Sequence, residues 1–400
     1  MPARTRKPAP SESGGRPTRR SADDTRPSWL TIEVDGGALS RNMQVFRGLV
    51  APPTRLLAVV KADAYGHGAL IAARAFLAGG AQILGVHSLR EARVLRDAGI
   101  DARIIVLGPA LAWEAAEAAA LDVELTVGSL AGAQAVAEAG APVRVHLKVE
   151  TGVNRQGLVE GELAAAVAAL RAVPGVVVAG LSSHFADIED TTDHGFAEAQ
   201  MTRFHAHRDA LRALGVDGCE THMSCSAAVL LWDRSHADIA RVGVSAYGIW
   251  PSRETRVAVR QRGRAEPQLE PAVTWRVRVA QVREVPAGQT VGYGRTWKAM
   301  TDSRIAVLPV GYADGWPRAL SGRGHVLVRG RRAPLVGRIC MNLCMADVTH
   351  IPGADAGDDA VLLGRQGDER ISAEMLADLL GTIPYEVLTL PAAGWTRREV

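Results

Sequence analysis

The feature that most constrains the fold is a regular alternation of short β-rich runs and Ala-rich helix-like stretches. The β-rich runs lie at 56–60, 82–86, 103–107, 123–127, 143–149, 176–183, 220–224 and 237–242. Several of the helix-like stretches end at Gly, which is common just after the last residue of a helix. Strands separated by single helices form parallel βαβ units, and eight of them in about 190 residues favour a (β/α)8 barrel. An open doubly wound sheet remains the structural alternative at this point.

After about residue 270 the pattern changes. Runs such as AVTWRVRVAQVREV and RIAVLPVGY are separated by turns, and no regular helix intervenes before SAEMLADLLG. This pattern is typical of antiparallel strands. We therefore predict an α/β protein in three parts: a disordered basic tail at 1–27, a (β/α)8 TIM-like barrel at 28–265 and a mainly antiparallel β domain at 266–400.

The net charge of +3 comes mainly from the tail, where residues 1–27 hold seven basic and three acidic side chains. The rest of the chain is close to neutral, which argues against a nucleic-acid-binding surface. No run approaches the length of a membrane span, and the tail lacks the apolar region of a secretory signal. The four cysteines match neither a disulfide framework nor the spacing of metal ligands. We expect a cytoplasmic protein with reduced thiols, no metal site and no membrane or nucleic-acid partner.

Lysine is rare in this chain, because only four of the 46 basic residues are Lys. Lys61 directly follows the apolar run 56–60, so a barrel would place it at the rim where barrel active sites lie. An amine beside apolar residues has a lowered pKa and suits Schiff-base chemistry. The alternative is an ordinary rim lysine that forms a salt bridge with Asp63.

The loops after the seventh and eighth predicted strands read MSCSAA and RVGVSAYG, and they supply Ser226 and Gly243. A hydroxyl and free backbone N–H groups near a helix N-terminus can bind an anion, although a Ser at this position is also a common helix cap. Together with a lysine at a strand end, the pattern suggests a phosphate-bearing aldehyde cofactor, pyridoxal phosphate.

The segment VVKADAYGHG resembles the pyridoxal-phosphate lysine motif of the alanine racemase family. The resemblance runs from about residue 30 to 388 through KVETGVNRQG, SSHFAD, ETHMSCSAA, RVGVSAYG, VGYGRTW, LPVGYADGW, VGRICMN, GRQGDERISAEMLA and GTIPYEVL. It implies an isomerase that interconverts L- and D-alanine by two-base proton transfer at Cα, with pyridoxal phosphate as cofactor. It further implies a head-to-tail homodimer with shared active sites and a supply of D-alanine to the peptidoglycan of the cell wall.

The resemblance also assigns the two bases. Lys61 corresponds to the base that serves the D-enantiomer, and Tyr293 in VGYGRTW corresponds to the second base, on the opposite face of the substrate. Two bases on opposite faces are simpler than one base and a large swing of the substrate. Because Tyr293 belongs to the β domain, the family's dimer would deliver it to the partner's barrel. Without the resemblance, Tyr293 would be interpreted as a half-buried strand tyrosine.

Further roles follow from the resemblance alone. The residues that it implies for cofactor binding, besides Lys61, are Tyr65, His184, Ser226, Arg241, Gly243 and Val244. Arg241 would face the pyridine nitrogen of the cofactor. Without the resemblance, Arg241 would be interpreted as a rim arginine paired with Asp238. His222 is interpreted as a structural residue. For the substrate it implies Arg155 and the backbone of Met341 at the carboxylate, and Tyr312 at the entrance. Lys148 matches a lysine that is carbamylated in many relatives and orients the arginine.

The chain departs from the family pattern at Cys225, at Asn342 and in its C-terminal segment, which lacks the late tyrosine that usually helps to bind phosphate. Two other functions therefore stay open. One is a barrel-type pyridoxal-phosphate decarboxylase of a basic amino acid, although VGYGRTW and VGRICMN differ from its motifs. The other is a non-catalytic pyridoxal-phosphate carrier, although such proteins generally lack a β domain.

Overall fold

The fold is described from a computed structural model of the chain. It describes residues 29–400 apart from 110, 112 and 393. The predicted basic tail at 1–27 lies outside the described residues.

The first strand, β1 (Leu30–Val34), leads into α1 (Gly36–Leu49), which begins where the Asp35 side chain accepts a hydrogen bond from the Ala38 backbone at 2.7 Å. Eight parallel strands follow. They are β2 (Arg55–Val59), β3 (Ile83–Val86), β4 (Arg103–Pro109), β5 (Glu124–Val127), β6 (Arg144–Lys148), β7 (Val177–Ser182), β8 (Glu220–His222) and β9 (Ile239–Val242).

These strands pair in the order β8-β7-β6-β5-β4-β3-β2-β9. The two ends of this order, β8 and β9, are adjacent, and the Asp238 backbone N–H donates to the Thr221 carbonyl between them at 3.1 Å. The sheet is therefore a nearly closed barrel, which confirms the predicted fold. Strands β3 and β5 are buried along their whole length, as expected where both faces of a parallel sheet are covered.

Helices cover the outside of the barrel and join its strands. They are α2 (Lys61–Tyr65), α3 (Ala69–Ala78), α4 (Leu89–Asp97), α5 (Glu114–Ala120), α6 (Leu130–Ala139), α7 (Leu163–Arg171), α8 (Gly195–Ala213), α9 (Ser226–Leu231) and α10 (Arg253–Gln261). Ser88, Ser129 and Ser252 cap the N-termini of α4, α6 and α10 through their side chains. Among the described residues, no helix is both long and apolar enough to cross a membrane.

The second part of the chain is mainly antiparallel, as predicted. Its strands are β10 (Val273–Arg278), β11 (Gln281–Val285), β12 (Thr290–Val291), β13 (Trp297–Lys298), β14 (Ser303–Leu308), β15 (His325–Val328), β16 (Arg331–Pro334), β17 (Cys344–Asp347), β18 (Asp359–Gln366), β19 (Glu369–Ile371) and β20 (Thr396–Glu399). Two helices, α11 (Ala373–Leu380) and α12 (Pro384–Thr389), precede the last strand.

The largest sheet of this part has the order β16-β15-β18-β10-β1-β20, with β19 paired to β18. Strand β1 is antiparallel to β10 and parallel to β20. The predicted barrel range of 28–265 includes this strand in the barrel, and its pairing with β10 and β20 corrects that assignment. The reason is that a single short strand carries no local signal of which distant strands it will join. Smaller sheets, β11-β14-β17 and β12-β13, complete the part.

Candidate active site

A cavity of about 600 Å³ opens at the carboxyl ends of the barrel strands. In a (β/α)8 barrel this is the face where active sites are built, because the loops after several strands converge there. The predicted site residues that line the cavity are Lys61, Tyr65, Lys148, Arg155, His184, Ser226, Arg241, Gly243 and Val244. The structure thus brings together nine of the twelve residues singled out in the sequence.

Lys61 is held by an unusual backbone segment. It opens α2, in which Ala62, Asp63, Ala64 and Tyr65 all have φ between 51° and 54°. This single turn is left-handed, and each such residue costs roughly 1–2 kcal/mol for an L-amino acid. We call Lys61–Tyr65 the lysine turn. Backbone strain of this kind persists only where the surrounding structure imposes it.

Contacts from three directions hold the lysine turn. The Ala62 backbone N–H donates to Glu91 at 2.8 Å, and one Asp63 oxygen accepts from the Ala69 backbone at 2.7 Å. The other Asp63 oxygen lies 2.8 Å from the Arg397 guanidinium of β20. The Asp63 carboxylate is therefore bound by Arg397 and by the start of α3. It does not form the salt bridge with Lys61 that the alternative interpretation predicts.

The Lys61 amine has no hydrogen-bonding partner among the described residues, and it faces the cavity. Partial burial and the positive charge of Arg155 both lower its pKa below that of an ordinary lysine, against a weaker opposing effect of Glu91. A neutral amine is the form that attacks a carbonyl or accepts a proton. The environment of Lys61 therefore favours the reactive form.

An anion cradle lies beside this amine. The Ser226 hydroxyl accepts hydrogen bonds from the backbone N–H groups of Gly243, at 2.9 Å, and Ser245, at 3.3 Å. The Tyr65 hydroxyl closes the other side, since a Cβ at position 243 would lie only 2.9 Å from its oxygen. Glycine at 243 therefore leaves room for a ligand that approaches the backbone, with hydroxyl groups on both sides.

Arg241, the third residue of β9, is 8% exposed and lies under the cavity. Its side chain donates to the carbonyls of Ser224, at 2.9 Å, Ser183, at 2.6 Å, and Met223, at 2.7 Å. It does not pair with Asp238, whose carboxylate instead accepts from the backbone and hydroxyl of residue 221. Burial lowers the pKa of Arg241 to about 10, so the guanidinium remains a cation at neutral pH.

His184 follows β7 and lies against Arg241, with Nδ1 at 3.3 Å from the guanidinium. Burial, and secondarily the charge of Arg241, hold the pKa of His184 well below its ordinary value. The imidazole is therefore neutral, and Nδ1 accepts from Arg241. His184 thus presents a neutral ring to the cavity.

Lys148 ends β6, and its amine donates weakly to Gln156 at 3.4 Å. Burial, followed by the charges of Arg241 and Arg155, lowers the pKa of Lys148 to about 8. The exposed Arg155 faces the same cavity from the loop after β6. Two cationic side chains therefore line one wall, and the neutral form of Lys148 is accessible near pH 8.

Two groups in the cavity wall have unmet hydrogen-bonding capacity. The Oγ1 of Thr126 and the Nε2 of Gln156 are buried, line the cavity and have no partner among the described residues. Unsatisfied buried polar atoms are costly, so they point to a polar ligand in this space. An amine, an anion cradle and these two atoms together fit a ligand that carries an aldehyde, a phosphate and further polar groups.

Sequence reasoning missed Tyr385 and Glu189, which also line the cavity. The Tyr385 hydroxyl donates to Glu189 at 3.0 Å, and its ring lies 6.1 Å from that of Tyr65. Burial raises the pKa of Glu189 to about 7. The predicted absence of a late tyrosine near the phosphate is wrong, because α12 places Tyr385 beside the cradle. The signal was present in GTIPYEVL, where Tyr385 was read only as part of a matching segment.

Three predicted residues do not line the cavity of their own chain. Tyr293, Tyr312 and Met341 belong to the β domain, and their exposed fractions are 73%, 45% and 57%. Tyr293 begins a short 3-10 turn between β12 and β13, so it is not the half-buried strand tyrosine of the alternative interpretation. Nothing in the described part of a single chain brings these side chains to Lys61.

The fold and the cavity together define the class of protein to which this chain corresponds. It is the class of barrel proteins that have a cavity-facing lysine beside an anion cradle and a separate β domain. The sequence profile of the alanine racemase N-terminal domain matches residues 34–251, and that of the alanine racemase C-terminal domain matches residues 272–398. The chain therefore belongs to the alanine racemase family.

Individual relatives agree with this assignment. The chain is 42% identical over 375 residues to an alanine racemase of Desulfosudis oleivorans, which covers 90% of this chain and 94% of the relative. An alanine racemase of Syntrophobacter fumaroxidans is 40% identical over 366 residues, with 90% and 94% covered. The crystal structure of alanine racemase from Bacillus anthracis with bound L-Ala-P superposes with a TM-score of 0.87 at 33% identity, over 94% of this chain and 96% of that chain.

Proposed function

We propose that this protein is an alanine racemase, an isomerase that interconverts L- and D-alanine with pyridoxal phosphate as cofactor. The observation that carries the proposal is the Lys61 amine, which has a lowered pKa and lies beside an anion cradle in a chain of this family. When bound, the cofactor makes the Cα proton of the substrate acidic by accepting electron density from Cα. The cavity residues would then hold the cofactor and move the proton.

The cofactor fits the residues that are present. The Lys61 amine would bond the aldehyde, and the cradle of Tyr65, Ser226, Gly243 and Val244 would hold the phosphate. Arg241 and His184 would lie along the ring. Because Arg241 is a donor that does not readily give up its proton, it would hydrogen-bond to the ring nitrogen and leave that nitrogen unprotonated. An unprotonated ring nitrogen accepts less electron density, which disfavours side reactions such as transamination.

We assign the two bases to Lys61 and Tyr293. Lys61 would exchange the proton of the D-enantiomer on one face, and the Tyr293 hydroxyl would act on the other face. Tyr293 is exposed and does not line the cavity of its own chain, which supports a homodimer in which each subunit lends this residue to its partner. Tyrosine ordinarily titrates near 10, so it needs cationic neighbours in the assembled site to act as a base.

For the substrate we propose that Arg155 and the Met341 backbone bind the carboxylate and that Tyr312 lines the entrance. Lys148 would orient Arg155 after carbamylation, which turns its cation into an anion that can pair with the guanidinium. The lowered pKa of Lys148 supports this step, because carbon dioxide reacts with the neutral amine. A native mass spectrum that lacks one added carbon dioxide would count against it.

We further propose a cytoplasmic enzyme that supplies D-alanine for peptidoglycan. All four cysteines are free thiols, including the buried Cys344, which is consistent with a reducing compartment.

The decisive experiment is to incubate the purified protein, loaded with pyridoxal phosphate, with L-alanine in deuterated water. Racemisation predicts that optical rotation decays to zero while the Cα proton is replaced by deuterium. Release of carbon dioxide with retained chirality would indicate a decarboxylase. Absence of exchange in a protein that has bound the cofactor would indicate a carrier. Either result would contradict the proposed activity.

A further inference from the structure

Beneath the cavity, a row of four buried polar side chains crosses the barrel from β9 to β5. Arg241 Nη1 lies 3.1 Å from His222 Nδ1, and His222 Nε2 lies 2.9 Å from His146 Nδ1. His146 Nε2 lies 2.5 Å from Glu124 Oε2. Both histidines are fully buried, and Glu124 is 6% exposed. The row connects the cavity wall to the first residue of β5, at the opposite end of the barrel.

The hydrogen bonds of this row can run in only one direction. The guanidinium of Arg241 has donors and no acceptor, so His222 Nδ1 must accept. A neutral His222 then carries its proton on Nε2 and donates to His146 Nδ1. His146 in turn carries its proton on Nε2 and donates to Glu124. Both imidazoles are therefore neutral, and both are the Nε2–H tautomer.

The hydrogen bonds at the Glu124 end of the row run in the same direction. Glu124 Oε1 accepts from Arg103 Nε at 2.6 Å and from Arg144 Nε at 3.1 Å, and Oε2 accepts from Arg103 Nη2 at 2.7 Å. Every partner of the carboxylate is thus a donor. Burial opposes the charge, but the hydrogen bonds from His146 and Arg103 outweigh it and hold the pKa of Glu124 well below its ordinary value.

Any other proton arrangement places two donors against each other. If His146 became an imidazolium or adopted the other tautomer, its Nδ1 would donate and His222 Nε2 would have to accept. The His222 proton would then sit on Nδ1, opposite an N–H of Arg241. Burial lowers the pKa of both histidines, so a second proton is disfavoured at either ring.

Arg241 is the member of the row that lines the cavity. The Nε group of Arg241 donates to a backbone carbonyl, Nη2 contacts two backbone carbonyls and His184 Nδ1, and Nη1 uses one N–H on His222. The second N–H of Nη1 has no partner among the described residues, and Arg241 lines the cavity. His222 is therefore one of the acceptors that fix the position of this free donor, together with the backbone carbonyls and His184.

We propose that Glu124 and His146 are positioning residues, which fix through His222 the one proton arrangement that holds the free N–H of Arg241 at the cavity wall. Their effect on the reaction rests on the proposed function, in which this N–H meets the cofactor ring. The proton arrangement itself does not rest on that function.

Neutron crystallography of the fully deuterium-exchanged holoenzyme tests the arrangement directly. We expect deuterium on Nε2 and none on Nδ1 in both His146 and His222. Deuterium on Nδ1 of either ring would overturn the proposal. This result is independent of whether the protein racemises alanine, so failure of the proposal and failure of the proposed function are distinguishable.

A matched pair of variants tests the consequence. Glu124→Gln keeps the shape but places an NH2 group among donors. Arg103 loses one acceptor in either amide orientation, and His146 loses its acceptor when the NH2 group replaces Oε2. Glu220→Gln is the control, because Glu220 bonds the same Arg103 at the same end of the barrel, at 3.0 Å, and bonds no histidine. We expect Glu124→Gln to lower kcat about tenfold or more in both directions, the scale set by a buried donor that loses its partner, with little change in KM.

We expect Glu220→Gln to lower Tm while kcat stays near that of the wild type. Equal losses of kcat in the two variants, or no loss in either, would overturn the proposed coupling. If Glu124→Gln does not fold, the neutron measurement on the wild type still decides the proton arrangement.

Discussion

His67 shows how one buried side chain supports the lysine turn. Its Nδ1 lies 3.1 Å from the Ala64 carbonyl and 2.9 Å from the Tyr65 carbonyl. Both of these groups are acceptors, so Nδ1 carries the proton and donates to the turn. Its Nε2 is buried without a partner among the described residues. A second proton would therefore enter an apolar space, and burial lowers the pKa of His67 to about 4.

This predicts a pH dependence of stability. Unfolded histidine titrates near 6.5, so between about pH 6.5 and 4 the unfolded chain binds a proton that the folded chain does not. The contribution of His67 is complete above that window and is lost as the pH falls through it. The loss amounts to about 3 kcal/mol. We expect His67→Gln to unfold at a urea concentration that falls less between pH 7 and 4.5 than in the wild type.

The control for this experiment is His350→Gln, because His350 is exposed on a turn of the β domain. It should retain the full pH dependence of the wild type. An unchanged pH dependence in His67→Gln would show that His67 titrates alike in the folded and unfolded chain, contrary to the prediction.

At the scale of elements, the lysine turn is clamped between the barrel and the C-terminal segment. Gly66 ends the turn with φ of 80° and packs against the backbone of α12, where a Cβ would lie 2.2 Å from the Leu388 carbonyl oxygen. Arg397 of β20 donates to the Gly66 carbonyl at 2.9 Å. The strained turn that presents Lys61 is thus held in place by residues more than 300 positions further along the chain.

Gly66→Ala should therefore destabilise the protein more than an alanine substitution at other glycines with positive φ. We expect it to destabilise the protein by about 3 kcal/mol, from the positive φ and the overlap with α12 together, and to weaken retention of pyridoxal phosphate. Gly99→Ala is the matched control, because Gly99 has φ of 76° with no atom within 4 Å of the added Cβ. It should cost about 1 kcal/mol. Equal losses in urea unfolding would refute the proposed clamp.

The elements differ in how far the sequence predicts them. The barrel strands were predictable, because each is a contiguous apolar run bounded by helix signals, as in 56–60. The lysine turn was not, since neither Ala62 nor Ala64 prefers a positive φ, and only distant contacts impose it. The cavity-facing Ser226 followed from its loop and from the family motif. The row from Glu124 to Arg241 did not, because its contacts join residues on different strands, such as His146 and His222, across the barrel.

At the scale of the whole molecule, one chain does not contain a complete set of the proposed groups. Lys61 lies in the cavity, whereas Tyr293 is exposed on the β domain together with Met341 and Leu343. Exposed apolar side chains in one region are typical of an association surface. A symmetric dimer that covers this region would bring Tyr293 to the cavity of the partner.

Mixing two inactive variants tests this arrangement. Lys61→Ala and Tyr293→Phe should each lose most racemisation in both directions, because each direction uses one base to remove the proton and the other to return one. After the two are unfolded together and refolded, half of the dimers should be mixed, and each mixed dimer should hold one intact site. Activity should therefore recover to about a quarter of that of the wild type. No recovery, despite mixed dimers in native mass spectrometry, would show that both groups come from the same chain.

The placement of β1 between β10 and β20 has a consequence for biosynthesis. Leu30 pairs with Val277, and Thr31 pairs with Thr396, so β1 is completed by a strand that is translated about 365 residues later. At ordinary translation rates this delay lasts roughly 20 to 70 s. The entire barrel is translated during that interval, and it can close on its own strands before β20 is available to pair with β1. Emergence of β20, roughly 150 residues after the last barrel strand, is therefore the event that completes this sheet and secures the clamp on Lys61.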